Sequence, residues 1–239
     1  MNMKARDLVF AIALASLAAA ASSEEAADIV RRMDASMAFD ECEMRVLLED
    51  VKASGARREL GAEVWYAKSV GTMIAFVSPP REKGKKVLMI GDSMWMAAPG
   101  LSKPVRLSGK DSFMGTSFTN DDVMNLDKDD DYGSAVIESG ASGWRIELVA
   151  RRRSLPYQRV IVDVGRDYLP TRQEMYLLSG ELSKIIEFTE PRSYGSRRRP
   201  SVMKVLDATA KGASTTVRFE RMAEKPVDRS RLSPATFMK

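Results

Sequence analysis

Glu41-Cys42-Glu43-Met44-Arg45-Val46, and after it Glu59-Leu60-Gly61-Ala62-Glu63-Val64-Trp65-Tyr66, are the residues whose reading decides the fold. Polar and apolar side chains alternate through both, the period of a strand with one face in a core and the other in water. Ala53 to Arg58 supplies the turn between them, so the pair reads as a long hairpin. The same period spreads in both directions from there.

Gly71 to Ser78 continues as a strand (Met73, Ile74, Phe76, Val77) and stops at Pro79-Pro80, since proline cannot donate to a ladder. Lys85 to Ile90 and Ser93 to Ala97 form a tight hairpin about Gly91-Asp92, and Val105 to Leu107 adds a short strand. From Gly109 to Asp131 the period disappears. Thr119 caps a helical turn through Asp121, Asp122, Val123 and Met124, so this stretch reads as a lid or flap over one end of a sheet. Strands resume at Ser134 to Glu138, Trp144 to Ala150, Arg159 to Val164, Leu169 to Leu178, Lys184 to Glu190, Ser201 to Asp207 and Thr215 to Glu220. About a dozen antiparallel strands at hairpin spacing, with no linker between them, predict one domain that meanders into a barrel or half-barrel.

Before the first strand, Ile29, Val30, Met33 and Met37 recur at helical spacing, with Ser22 or Ser23 as N-cap and Glu24, Glu25 and Asp28 in the first turn. An amphipathic helix over Ser23 to Phe39 is expected. Further upstream, Lys4 and Arg6 precede an apolar run from Leu8 to Ala21 that closes in small residues. That order is a secretory signal peptide at residues 1–21, cleaved after Ala21 or Ser23, and the run is too short to span a bilayer. Residues 22–239 then form a single periplasmic domain.

Composition removes several chemistries. The chain of 239 residues has no His, which excludes a His base, a His metal ligand and a Ser-His-Asp triad. One Cys cannot form an internal disulfide, and the alternation about Cys42 makes it a buried, inert thiol. Lys plus Arg at 37 against Asp plus Glu at 33 leaves +4 with no long basic tract, so nucleic acid is not the expected partner. Asp127 to Gly133 with Glu138 has calcium-loop spacing, but Tyr132 stands where the sharp turn needs Gly, so a solvated acidic loop is expected. Asp121 and Asp122 read as helix caps rather than an acid/base pair, and no motif supports a hydrolase. Met94-Trp95-Met96 lacks a His or paired Cys for copper, and no metal or cofactor is expected. Two arginine runs, Arg151 to Arg153 and Arg197 to Arg199, offer contacts to anionic headgroups or an acidic partner, with a solvated loop as the expected setting for Arg197-Arg198-Arg199-Pro200. Fifteen Met suit either ordinary core filling or an adaptable apolar lining, and the latter fits an acyl chain, which needs volume rather than directed hydrogen bonds.

Several of these segments carry a resemblance in their order along the chain. They are Phe76-Val77-Ser78-Pro79-Pro80 with Lys83-Gly84-Lys85, the strand and turn from Met94 to Pro99, the stretch from Asp111 to Asp122, Leu169-Pro170, Thr215 to Arg218 and Leu232 to Phe237. Together they resemble the outer-membrane lipoprotein-sorting protein family, related to the LolA and LolB carriers. The resemblance implies a mainly β fold: an incomplete antiparallel barrel with an N-terminal helix and a helical lid loop, whose apolar cavity takes lipoprotein acyl chains or other lipid. It implies a periplasmic monomer without enzymatic activity, with an inner-membrane exporter as a further partner. A non-carrier accessory or sensor protein for such an exporter is the alternative. It also implies a lid-locking arginine, for which Arg45 and Arg58 are the candidates. The candidate lining residues are Val46, Leu48, Val64, Tyr66, Ile74, Phe76, Met89, Met94 and Met96, with Trp95, Phe113, Met114 and Phe118 at the mouth.

Overall fold

The computed structural model describes residues 24–124 and 131–237. The expected leader with its cleavage point, the expected Ser22 or Ser23 cap and residues 127–130 of the acidic run lie outside them. Helix α1 spans residues 24–37. The strands of the first half are β1 (Glu41–Val51), β2 (Arg57–Ala67), β3 (Gly71–Ser78), β4 (Lys86–Ile90), β5 (Ser93–Ala97) and β6 (Val105–Leu107). A short helix α2 (Asn120–Met124) follows, then β7 (Tyr132–Gly140), β8 (Gly143–Ala150), β9 (Arg159–Gly165) and β10 (Pro170–Tyr176). The long strands β11 (Leu182–Tyr194), β12 (Arg197–Asp207) and β13 (Ser214–Glu224) come next, and α3 (Pro234–Phe237) is the last element of the described residues.

All thirteen strands belong to one antiparallel sheet, in the order β6-β5-β4-β3-β2-β1-β13-β12-β11-β10-β9-β8-β7. Every neighbour but β1 and β13 is also a neighbour in sequence, which is what hairpin turns alone can build. The β1–β13 pair joins the two meanders, with Leu48 opposite Val217 and Asp50 opposite Thr215. Among the described residues the sheet does not close on itself, and β6 and β7 remain its edges.

Register carries apolar side chains across one face in rows. Met44 lies opposite Val64, Val64 opposite Ile74, Ile74 opposite Val87 and Val87 opposite Met96. In the other half, Val205 lies opposite Ile186, Gln173 links Ile186 to Val162, and Val162 lies opposite Ile146. Ala26, Ile29, Val30 and Met33, at helical spacing on α1, are buried against this concave face. The opposite face of β2 to β5 is covered by the C-terminal segment, whose Val227, Leu232 and Phe237 pack on Ala67, Met73, Leu88 and Ala97. Among the described residues no helix is long and apolar enough to cross a membrane.

The expected loop at Arg197-Arg198-Arg199-Pro200 is corrected. These residues open β12, paired from Tyr194 opposite Arg197 through a tight turn at Gly195. Arg199 is buried, stacks over Phe39 at 4.9 Å and donates to the Met37 carbonyl at 2.7 Å, while Arg197 donates to the Ala35 carbonyl at 3.1 Å. Two cations thus satisfy orphan carbonyls at the negative end of α1 and hold the helix on the sheet.

Candidate functional site

The concave face is apolar across both meanders. Val46, Leu48, Val64, Ile74, Phe76, Met89 and Met94 are buried in it, with Met96 packed alongside. Tyr66 falls in the same row by register, between Cys42 and Thr72, and is half-buried. Trp95 is the correction: it points to the other face, where it packs against the cluster of Met73, Leu88 and Phe237. Alternation along β5 requires this, because its two neighbours Met94 and Met96 face the concave side. The face also extends over residues that sequence reasoning did not single out, including Ile146, Leu148, Val160, Val162, Ile186 and Val205, all buried. The alternation of Lys184, Ile186 and Phe188 was the available signal.

Residues 108–124 form the flap across this face. A bridge between Ser112 and Thr119 and a bond from Phe113 N–H to the Phe118 carbonyl at 2.8 Å make it a small closed loop. Phe113 and Phe118 are buried in the concave face, and the Phe113 ring meets Phe76 at 6.3 Å between centroids. The loop turns through Met114 at φ 51° and Gly115 at φ 70°. The first is a left-handed conformation that costs a non-glycine residue ~1–3 kcal/mol and persists where neighbours enforce it. The enforcing neighbour is Arg58, whose guanidinium donates to the Met114 carbonyl. A Cβ at Gly115 would come within 3.2 Å of that guanidinium, so glycine here avoids both backbone strain and a tight approach.

Arg58 is itself oriented by Asp50, whose carboxylate is fully buried. Asp50 accepts from Arg58 Nε at 3.0 Å, from Lys52 Nζ at 2.9 Å and from Thr215 Oγ1 at 2.8 Å. Lys52 also donates to the Gly115 carbonyl, and Thr215 Oγ1 accepts from Ser117 N–H at 2.9 Å. One buried carboxylate on β1 thereby fastens three stations of the flap, at Met114, Gly115 and Ser117. Arg45, the other arginine candidate, is exposed and pairs instead with Glu220 and Glu63.

A second node holds the far end. Thr119 Oγ1 accepts from Asp122 N–H at 3.2 Å while the Asp122 carboxylate accepts from Thr119 N–H at 2.6 Å, a reciprocal cap on α2. The same carboxylate is buried in an ion pair with Lys184 of β11 and accepts from the Tyr157 hydroxyl at 2.7 Å. The cap read from sequence is therefore also a tether to the opposite meander. Burial and the Asp122 charge push the Tyr157 phenol well above its ordinary range. Burial pushes the Tyr132 phenol up to about 12, and its hydroxyl donates to the Tyr157 carbonyl at 2.9 Å.

Cys42 is buried beside Phe39 and Met222, and burial raises its thiol above the ordinary value. Among the described residues no group of three or more Cys, Asp or Glu stands where it could hold a metal ion.

No curated protein matches the chain. Among solved structures it is similar to a LolA superfamily protein from Nitrosomonas europaea, with TM-score 0.75 and 22% identity over 87% of this chain and 97% of that one. A DUF1329 family protein from Desulfovibrio piger superposes with TM-score 0.79 at 19% identity, covering 89% of this chain and 97% of the other. A protein described as an outer membrane lipoprotein-sorting protein domain, from Vibrio parahaemolyticus, superposes with TM-score 0.77 at 16% identity, over 91% and 100% of the two chains. The incomplete barrel of these structures is the fold seen here, as the resemblance implied. A family model described as an "Uncharacterized protein"-like family matches residues 68–238. The chain belongs to that family and is built on the LolA-superfamily fold.

Proposed function

We propose that the protein is a periplasmic carrier that takes acyl chains of lipoproteins or other lipids onto the concave face and releases them when the flap reopens. The observation that carries this reading is an apolar interior spanning two meanders and closed by a loop fastened through two buried ion pairs. An ordinary core would be closed by apolar packing alone, whereas here polar latches fix the cover around its two apolar anchors, Phe113 and Phe118. The Met-rich lining, with Met44, Met89, Met94 and Met96 in adjoining rows, suits a ligand of variable shape. Enclosing each CH2 contributes ~0.8 kcal/mol, so a long chain supplies the free energy that displacing Phe113 and Phe118 requires. The leader read at residues 1–21 supports export, and the apolar lining supports binding rather than catalysis.

Titration with a fluorescent fatty acyl probe tests the reading. Saturable uptake is expected, lost in Ile146→Asp, which places a charge in the half of the face that carries no sequence motif. Uptake by that variant, still folded, equal to the parent's would refute a concave-face site.

A further inference from the structure

The antiparallel order sends six hairpin connections to one end of the sheet: residues 52–56, 79–85, 98–104, 151–158, 177–181 and 208–213. The other five, at 68–70, 91–92, 141–142, 166–169 and 195–196, lie at the opposite end. Charge is divided very unevenly between the two ends. The six connections carry nine Lys or Arg against Glu82 and Glu181, whereas the five carry Lys68 and Arg166 against Asp92 and Asp167. Asp131, which enters this end ahead of β7, pairs with Arg152, and these residues together still hold more surplus charge than the +4 of the whole chain. Glu82 there is buried and already bound to Lys85 at 2.7 Å, and Arg81, Lys83, Lys103, Arg151, Arg153 and Lys211 are all exposed.

Large aliphatic side chains stand at the same end. Leu178, at the tip of the β10–β11 turn, is 67% exposed, and Leu101, in the β5–β6 loop between Pro99 and Pro104, is 40% exposed. A turn tip that presents leucine to water gains nothing for the fold from it. Basic side chains beside solitary exposed leucines are the pattern that binds headgroups electrostatically while seating apolar side chains at the acyl boundary. A nucleic acid would call for aromatic stacking surfaces, and the one aromatic in these six connections, Tyr157, is buried.

We infer that this basic end is a docking surface for an anionic phospholipid bilayer. Of the two arginine runs in the sequence, Arg151 to Arg153 belongs to it, while in the other Arg197 and Arg199 bind the end of α1 and Arg198 pairs with Asp167. The flap is latched at this same end, through Lys52 and Arg58 on one side and the Tyr157 connection on the other. Docking therefore brings the bilayer to the place where the flap opens. The inference does not depend on whether an acyl chain enters the concave face, since adsorption and extraction are read separately.

The test is sedimentation of the protein, purified from an exporting host with its N-terminus read by intact mass, with vesicles of phosphatidylcholine with and without phosphatidylglycerol. Binding is expected only with phosphatidylglycerol, and it should weaken as salt rises. Lys83→Glu/Lys103→Glu/Arg153→Glu should weaken it by at least about 100-fold, as each basic residue near an anionic surface contributes about fivefold. Lys68→Glu/Arg192→Glu/Arg221→Glu carries the same change of net charge towards the opposite end and should bind within about threefold of the parent. Leu101→Ser/Leu178→Ser should lose the binding that survives high salt. Equal loss in the two charge variants would overturn the assignment of the surface, and equal binding to both vesicle types would overturn the inference itself.

Discussion

Asp50→Asn isolates the flap latch, because it keeps the size of the side chain and removes its charge. The carboxylate is fully buried and holds Arg58, Lys52 and the Thr215 hydroxyl, with the Arg58 side chain 23% exposed and that of Lys52 45% exposed. The half-exposed Lys52 pair contributes little, ~0–1 kcal/mol. Stranding the mostly buried Arg58 without its partner, and weakening the bond to Thr215, together cost ~3 kcal/mol once the acceptor retained by Asn is allowed for. The loss should appear locally, since the flap stations at Met114, Gly115 and Ser117 depend on these groups and the β-ladders do not. Hydrogen exchange read residue by residue is the assay. The Ser117 and Phe118 amides should exchange ~100-fold faster, the ratio to which ~3 kcal/mol corresponds, with ladder amides of β9 and β12 unchanged. Acyl uptake should also become faster, because an undocked flap no longer gates entry. Flap amides that exchange within about threefold of the parent, with an unaltered melting temperature, would refute the reasoning.

Lys184→Met should likewise free the α2 end of the flap, and a double-mutant cycle with Asp122→Asn should return a coupling of ~1–3 kcal/mol, whereas additive costs would show no tether. Phe76→Asp and Met96→Asp should abolish acyl uptake, while Trp95→Ser, on the other face, should leave uptake unchanged in folded protein; loss in all three would argue against a one-sided site. Stability should fall above pH 10, where unfolded tyrosines ionise, because the folded chain holds Tyr132 protonated up to about 12 and Tyr157 protonated above its ordinary range as well. Both phenols contribute stability that is fully present below pH 10.0 and is lost as pH climbs towards the folded values, by ~1.4 kcal/mol per pH unit and group. Far-ultraviolet dichroism against pH checks this, and Tyr132→Phe should move the alkaline midpoint upward. An unchanged midpoint would remove Tyr132 from the account.

Turn and proline signals are enough to place strands here: β3, which stops at Pro79-Pro80, and β5, which follows the Gly91-Asp92 turn, have the bounds read from sequence, as does β6. Arg197 to Arg199 misled because a run of charge beside proline resembles a loop, while an arginine stem is long enough to lie along a strand and carry its head to a distant helix end. Trp95 misled because three large apolar residues in succession hide the alternation that sets its direction. Asp50 and Thr215 stand 165 residues apart, and Asp122 and Lys184 stand 62 apart. No local pattern announces such pairs, since only the β1–β13 junction and the flap crossing bring them together. The β1 to β5 side of the apolar face and Arg58 were therefore open to reading, whereas the buried carboxylates that orient Arg58 and hold Lys184 were not.

Native mass spectrometry of the protein purified from periplasm, paired with organic extraction of whatever it holds, tests the central claim most directly. The carrier account predicts a stoichiometric acyl-chain ligand in the parent and its loss in Phe76→Asp. A chain that runs at its apo mass, and stays there after incubation with phospholipid and acylated peptide, would contradict it.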